Sequence, residues 1–251
     1  MYDEFVARTT WGPGTAVQKW FIRRVLNTVL RVIQRPIGDL EVLEIGTGMG
    51  HFAEVAVAQG VKRYVGIEPN RMLRESAQQS AGKFEVLDGA LPHLPSQTHG
   101  QFDFVILTHV LEHAQSGYEA REWADSLLST LKPGGCVVVI SPDVLDYKGF
   151  MWATDWSHAF PTSAENVRQI FADTGSTIKV AKRMRFGSLN PVTTSIAFLL
   201  SKLFPTKLAN VVSRNLLGRE LGTSVQVAFF WGLACVIAMK PVGELNKSAE
   251  N

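Results

Sequence analysis

The chain has 251 residues, 46% of them hydrophobic, a formal net charge of +2 and two cysteines. That length favours one domain with an insertion, and a core of this size stands without disulfides, which excludes a disulfide scaffold. No nucleic-acid partner is expected.

The two thiols, Cys136 and Cys235, lie in apolar strand-like runs. They read as buried groups of a reducing compartment, and neither has metal-ligand spacing. Asp3 and Glu4 with no apolar stretch argue against a secretory signal. The run Val225 to Met239 covers 15 residues, short of the roughly 20 that a membrane span needs. The expectation is a cytoplasmic protein.

Residues 1–13 look irregular, with a turn at Trp11-Gly12-Pro13-Gly14. From Thr15 to before Pro36 the pattern is helical: Val17, Trp20, Phe21, Arg24, Val25, Thr28, Val29 and Val32 recur at spacings of three or four. Leu40 to Ile45 then reads as a short buried strand, followed at once by Gly46, Gly48 and Gly50, with a helical pattern from His51. Strand, glycine turn and helix bring backbone N–H groups close to a nucleotide-like ligand. The dinucleotide fingerprint is broken, because His51 stands where its third glycine or alanine belongs, and no P-loop Gly-Lys-Ser/Thr follows. Glu44, inside the strand, suits a ligand with a positive end better than a pyrophosphate.

Three more strands follow. Lys62 to Glu68 and Phe84 to Asp88 each end in an acid, and Phe102 to His109 runs into His109-Val110-Leu111-Glu112-His113. A helix from Tyr118 to Leu131 leads through Lys132-Pro133-Gly134-Gly135 to a fifth strand whose Val137 to Ile140 are all β-branched, as expected of a strand covered on both faces. Five features now stand in order: E-x-G-x-G-x-G, an acid after strand two, an acid after strand three, F-D with H-V-L-E-H, and L-K-P-G-G. The set resembles the class I S-adenosylmethionine-dependent methyltransferases over residues 40 to about 180.

The resemblance implies a doubly wound, mostly parallel, seven-stranded Rossmann-like α/β sheet with an antiparallel last strand. It implies S-adenosylmethionine as cofactor. Glu44 and the Gly46-Gly48-Gly50 turn would face its methionine half, Glu68 would accept both ribose hydroxyls, and Asp88 would lie near the adenine amine with Gly89 offering backbone. Thr47, Pro69 and His109 complete the implied cofactor set. The N-terminal helix, residues 1–36, is either a cover for the cofactor or a plain packing helix.

After strand five the chain is aromatic and irregular, with Trp152 and Asp155-Trp156-Ser157-His158, and it leaves the end of a strand where α/β sheets build their ligand crevice. Ser163 caps a helix to Asp173, and Thr177 to Met184 reads as strand six. Residues 186–224 exceed the hairpin that usually joins strands six and seven. Ile196 to Phe204 and Leu208 to Leu216 read as two helices, forming a lid or a membrane-surface pair. Eight basic residues and no acid lie between Lys179 and Arg219, so that stretch carries +8. It reads as a solvated rim or a face for phosphate-bearing or membrane-bound material. The last strand is expected within residues 225–240, and residues 40–184 form the cofactor-binding core.

For a hydroxyl acceptor, His158, His113 and His109 are the candidate bases, His158 first. His109 to His113 also spells H-x-x-E-H, an inverted zinc-protease motif. That motif needs both histidines on one helix, and His109 directly follows a strand, so no metal is expected. The acceptor is expected to be small or carrier-linked: Asp155-Trp156-Ser157-His158 before Phe160-Pro161-Thr162 resembles methyltransferases of cell-surface sugar and polysaccharide pathways, which implies a glycosyl or polysaccharide intermediate, with lipid-linked and quinone-like acceptors also open. A non-catalytic cofactor-binding or scaffold protein and an NAD-dependent oxidoreductase stand as alternatives.

Overall fold

The computed structural model describes residues 16–81, 84–185, 205–217 and 232–241. The expected turn at 11–14, the apolar helix at 196–204 and residues 225–231 lie outside these.

Seven strands form one sheet: β1 (Glu41–Ile45), β2 (Arg63–Ile67), β3 (Glu85–Leu87), β4 (Phe102–Thr108), β5 (Leu131–Pro142), β6 (Thr177–Arg185) and β7 (Gly232–Met239). Their order is β3-β2-β1-β4-β5-β7-β6. The first five are parallel, and β7 runs antiparallel to both neighbours. The strand order reverses between β1 and β4, and the crevice at such a switch point is where open α/β sheets bind ligands.

The helices are α1 (Ala16–Ile33), α2 (His51–Ala58), α3 (Arg71–Ala81), α4 (Gly117–Thr130), α5 (Val144–Tyr147), α6 (Phe150–Thr154), α7 (Ala164–Asp173) and α8 (Thr206–Leu217). Strand alternation divides the core in two. Val42, Phe104, Ile106, Val138 and Ile237 pack under α1 and α2 on one face. Leu43, Val105, Val139 and Val236 pack under α4 and α7 on the other. On α1 the buried residues are Phe21, Ile22, Val25, Leu26 and Val29, a wider stripe than the sequence spacing picks out. Each such burial contributes about 1.5–3 kcal/mol, which fixes α1 over the switch point.

Two expectations are revised. The stretch after β5 is not wholly irregular, because α5 and α6 form there. Asp143 caps α5 by accepting from the Leu145 N–H. β5 begins at Leu131, and its Lys-Pro-Gly-Gly segment stays in the strand. Phe102 pairs with Leu131 and Phe104 with Cys136, so the extra residues bulge, with Gly134 at φ 74°. Ser163 caps α7 as expected, and Asn166 returns a bond to the Ser163 N–H to complete a capping box.

At the amino end of the sheet, Asp103 binds Arg35 (2.5 Å), Lys132 (3.0 Å) and the Glu41 N–H (2.8 Å). Burial pushes its carboxyl up, but these three donors more than offset it, and its pKa lies below the ordinary range. This network ties the starts of β1, β4 and β5 together on the side opposite the crevice.

Candidate functional site

A cavity of about 770 Å³ opens at the carboxyl ends of β1, β2 and β4 and is roofed by Phe21, Ile22 and Val25 of α1. One end is the glycine turn. Gly46, Gly48 and Gly50 have φ of 72°, 54° and 79°, a region costly for residues with a Cβ. A Cβ on Gly46 would lie 2.5 Å from Val110 Cγ2, whereas one on Gly48 would meet nothing within 4 Å. The turn is thus closed on its inner side and open where a ligand would lie.

Two buried acids flank it. Glu68 Oε2 accepts from the Gly48 N–H (2.8 Å) and Oε1 from the Asn70 N–H (3.0 Å). Burial raises its pKa against these bonds and the Arg74 cation. Glu44 is only 3% exposed and accepts from the Tyr64 hydroxyl at 2.8 Å. Burial drives its pKa up to about 8, opposed by the Tyr64 bond and reinforced by Glu68. A carboxyl held this way favours a cationic neighbour.

The other end is built from the turn after β4 and the loop after α6. His109 sits at φ 57° with its N–H bonded to the Ile140 carbonyl. Its Nδ1 lies 3.3 Å from Glu112 Oε1. The rings of His113 and His158 meet edge to face with centroids 5.0 Å apart. His113 Nδ1 lies 3.0 Å from Ser157 Oγ, which donates to Asp155 Oδ1 at 2.5 Å. His158 Nδ1 donates to the Met151 carbonyl at 2.7 Å. The Glu112 carbonyl accepts from both Ala159 and Phe160 N–H groups at 3.0 Å, which staples the two segments together.

A family model described as a methyltransferase domain matches residues 17–179. The chain belongs to the class I S-adenosylmethionine-dependent methyltransferases. This methyltransferase is 24% identical over 173 residues to an uncharacterized methyltransferase of Anoxybacillus flavithermus, covering 64% of this chain and 80% of that one. Among solved structures it is similar to YcgJ of Bacillus subtilis (TM-score 0.60, 17% identity, 88% and 100% of the two chains covered). It is also similar to a SAM-dependent methyltransferase of Archaeoglobus fulgidus (TM-score 0.56, 22% identity, 87% and 94% covered). At these identities the structures share the fold.

Within the methyltransferase, the cavity collects Glu44, Gly46, Thr47, Gly48, Glu68, Pro69, Gly89, His109, His113 and His158. Gly50 stands behind the turn, with Ala77 and Phe84 beside the place of a Cβ. Asp88 is not on the cavity wall, and its carboxylate is exposed and paired with Arg74 at 3.0 Å. The sequence assigns no individual role to Tyr64, Asp155, Ser157 or the buried Glu112. A tyrosine one strand over from Glu44, at the register partner of Val42, carries no signal of its own in the sequence. Glu112, His113 and His158 place possible metal-ligand atoms within 4.8 Å of one another, a cluster that spacing along the chain did not reveal.

Proposed function

We propose that the cavity holds S-adenosylmethionine at its Glu44–Gly48–Glu68 end and a methyl acceptor at its His109–His113–His158 end. The supporting observation is that one cavity joins a turn of positive-φ glycines and two buried acids to a wall of three histidines. The residues fit such a donor. Glu44 awaits a cationic group, Glu68 is oriented by two backbone N–H groups, and Gly48 leaves room for a ligand beside it. The donor supplies a methyl group on a sulfonium, a good leaving group, so the chain's task is to align and desolvate. On this reading Glu68 holds the ribose hydroxyls, Gly89 the adenine edge and Glu44 the amino-acid half. Asp88 reaches the adenine only by leaving Arg74.

The narrower proposal is a carrier-linked glycosyl or lipid-linked acceptor, handled in the cytoplasm. The exposed Trp152 and Trp156 near the acceptor end and the basic residues of β6 support it. Leu208, Val211 and Val212 of α8 are exposed and suit peripheral membrane contact. No helix among the described residues is long and apolar enough to cross a membrane. Calorimetry with S-adenosylhomocysteine tests the donor end, and a screen of acceptors with labelled donor tests the other. Tight NADH binding with no response to the methyl donor would replace this reading by an oxidoreductase.

A further inference from the structure

We infer that Glu112, His113 and His158 form a binding site for one divalent first-row transition-metal ion at the acceptor end of the cavity.

Protonation comes first. A carbonyl can only accept, so the bond to Met151 places the proton of neutral His158 on Nδ1 and leaves a lone pair on Nε2, which lies 3.9 Å from Asp155 Oδ2, beyond hydrogen-bond reach. Ser157 spends its hydroxyl proton on Asp155 Oδ1, so its oxygen accepts from His113 Nδ1–H. His113 Nε2 is therefore also a bare lone pair. Metal-binding histidines are held in this way, by an outer acceptor that fixes tautomer and ring orientation.

The third ligand is a carboxylate that lacks what burial demands. Glu112 is 0% exposed, and neither of its oxygens has a hydrogen-bond partner among the described residues. Buried carboxylates are normally paired, hydrogen-bonded or coordinated to a cation. His109 Nδ1 approaches Oε1 without satisfying it.

Distance permits coordination. One ring nitrogen of each histidine and one Glu112 oxygen lie within 4.8 Å of one another, which fits a circle of radius about 2.8 Å, so each moves in by about 0.7 Å at most to reach ligand bonds of about 2.1 Å. The staple from Glu112 O to Ala159 and Phe160 holds the two ligand-bearing segments in place during that closure. Two imidazoles and one carboxylate suit zinc, iron, cobalt or manganese rather than magnesium or calcium, which prefer all-oxygen sets. His113 and His158 line the cavity, so an ion there would meet an acceptor offering an oxygen lone pair. That use rests on the proposed methyl transfer, whereas occupancy of the site does not.

The test uses the full chain without an affinity tag, stripped by chelator and titrated with Co²⁺ or Zn²⁺. Calorimetry and elemental analysis should give one ion per chain, with visible d–d bands for Co²⁺. His158→Ala should abolish stoichiometric binding. Ser157→Ala, which touches only the outer shell, should weaken it by about 10-fold or more. S-adenosylhomocysteine binding to each stripped variant reports an intact fold and donor end. Glu112→Gln, which removes a ligand but keeps the side-chain shape, should match His158→Ala. Absence of stoichiometric metal in the wild type, or binding unmoved by His158→Ala and Glu112→Gln together, overturns the site. Failure of S-adenosylhomocysteine to bind the wild type would instead overturn the donor reading and leave the metal result standing.

Discussion

Glu44 gives the sharpest test of the proposed donor end. Its carboxyl has an ordinary pKa of 4.5 and is pushed up to about 8 in the folded protein, first by burial. A carboxyl with a raised folded pKa holds its proton more tightly when folded. Stability from this group is therefore full below the unfolded pKa and is lost as pH rises toward the folded one. Between pH 5 and pH 7.5 the loss works out to about 3 kcal/mol, at 1.36 kcal/mol per pKa unit. Glu44→Gln keeps an acceptor for the Tyr64 hydroxyl and removes the titration. Urea unfolding across that range should show wild-type stability falling by about this amount relative to the variant. The carboxyls with depressed pKa, Glu41, Asp103, Asp155 and Glu165, are ionised throughout the range and cancel in the comparison. A cationic ligand group beside Glu44 would pull its pKa back down. Binding of S-adenosylhomocysteine at pH 7 should then release close to one proton, read from the buffer dependence of the calorimetric heat. An equal pH slope in wild type and variant would refute the burial argument. A normal slope with no proton release would place the ligand's amine elsewhere.

Glu68→Ala should weaken S-adenosylhomocysteine by about 2–4 kcal/mol through lost charged hydrogen bonds, and unchanged affinity in calorimetry would remove Glu68 from the site. Gly46→Ala meets both a positive φ and Val110 at 2.5 Å. It should cost about 1–3 kcal/mol of stability, read as a drop in the urea midpoint, and a wild-type midpoint would contradict the turn geometry. Asp103→Ala leaves Arg35 and Lys132 without their shared partner. It should cost about 1–2 kcal/mol through the lost hydrogen bonds in unfolding experiments while leaving donor affinity intact. A chain with residues 186–224 replaced by a short turn should bind donor normally and fail to transfer methyl groups to its acceptor, and normal transfer would reduce the insertion to an appendage.

The glycine-turn end of the cavity was legible because its signals are local. Gly46 to Gly50 must turn with positive φ directly after a buried strand, and that constraint is written in five consecutive residues. Glu68 follows because β2 lies beside β1 in register, Ile45 opposite Ile67. The motif pieces F-D and L-K-P-G-G were legible too, but their work is different from that of the glycines. Asp103 and Lys132 meet at the amino end of the sheet, where they join strand starts and touch no part of the cavity. A family pattern mixes residues held for binding with residues held for assembly, and spacing alone does not separate them. Asp88 shows the same point from the other side, since an acid at a strand end can serve a neighbouring arginine.

The histidine end of the cavity was illegible as a unit because it is made by a long return of the chain. The turn at Leu111–His113 meets the loop at Asp155–His158 through the Ser157 hydroxyl and the contact of the two histidine rings, and meets Ala159 and Phe160 through the Glu112 carbonyl. Nothing in the order of residues announces that β5 and two short helices will bring them together. The H-x-x-E-H spelling was read as a one-helix motif and set aside on that ground, and His109 and His113 do not share a helix. What the spelling concealed was its acid. A fully buried glutamate next to two histidines with fixed tautomers is either a debt of folding or a prepared ligand set. The two differ in a measurable way. If Glu112 is only a cost of the fold, Glu112→Gln stabilises the metal-free protein and zinc does nothing for the wild type. If it is a ligand, zinc raises wild-type stability with concentration, because an ion that binds only the native state stabilises it by mass action, and the glutamine variant loses that response.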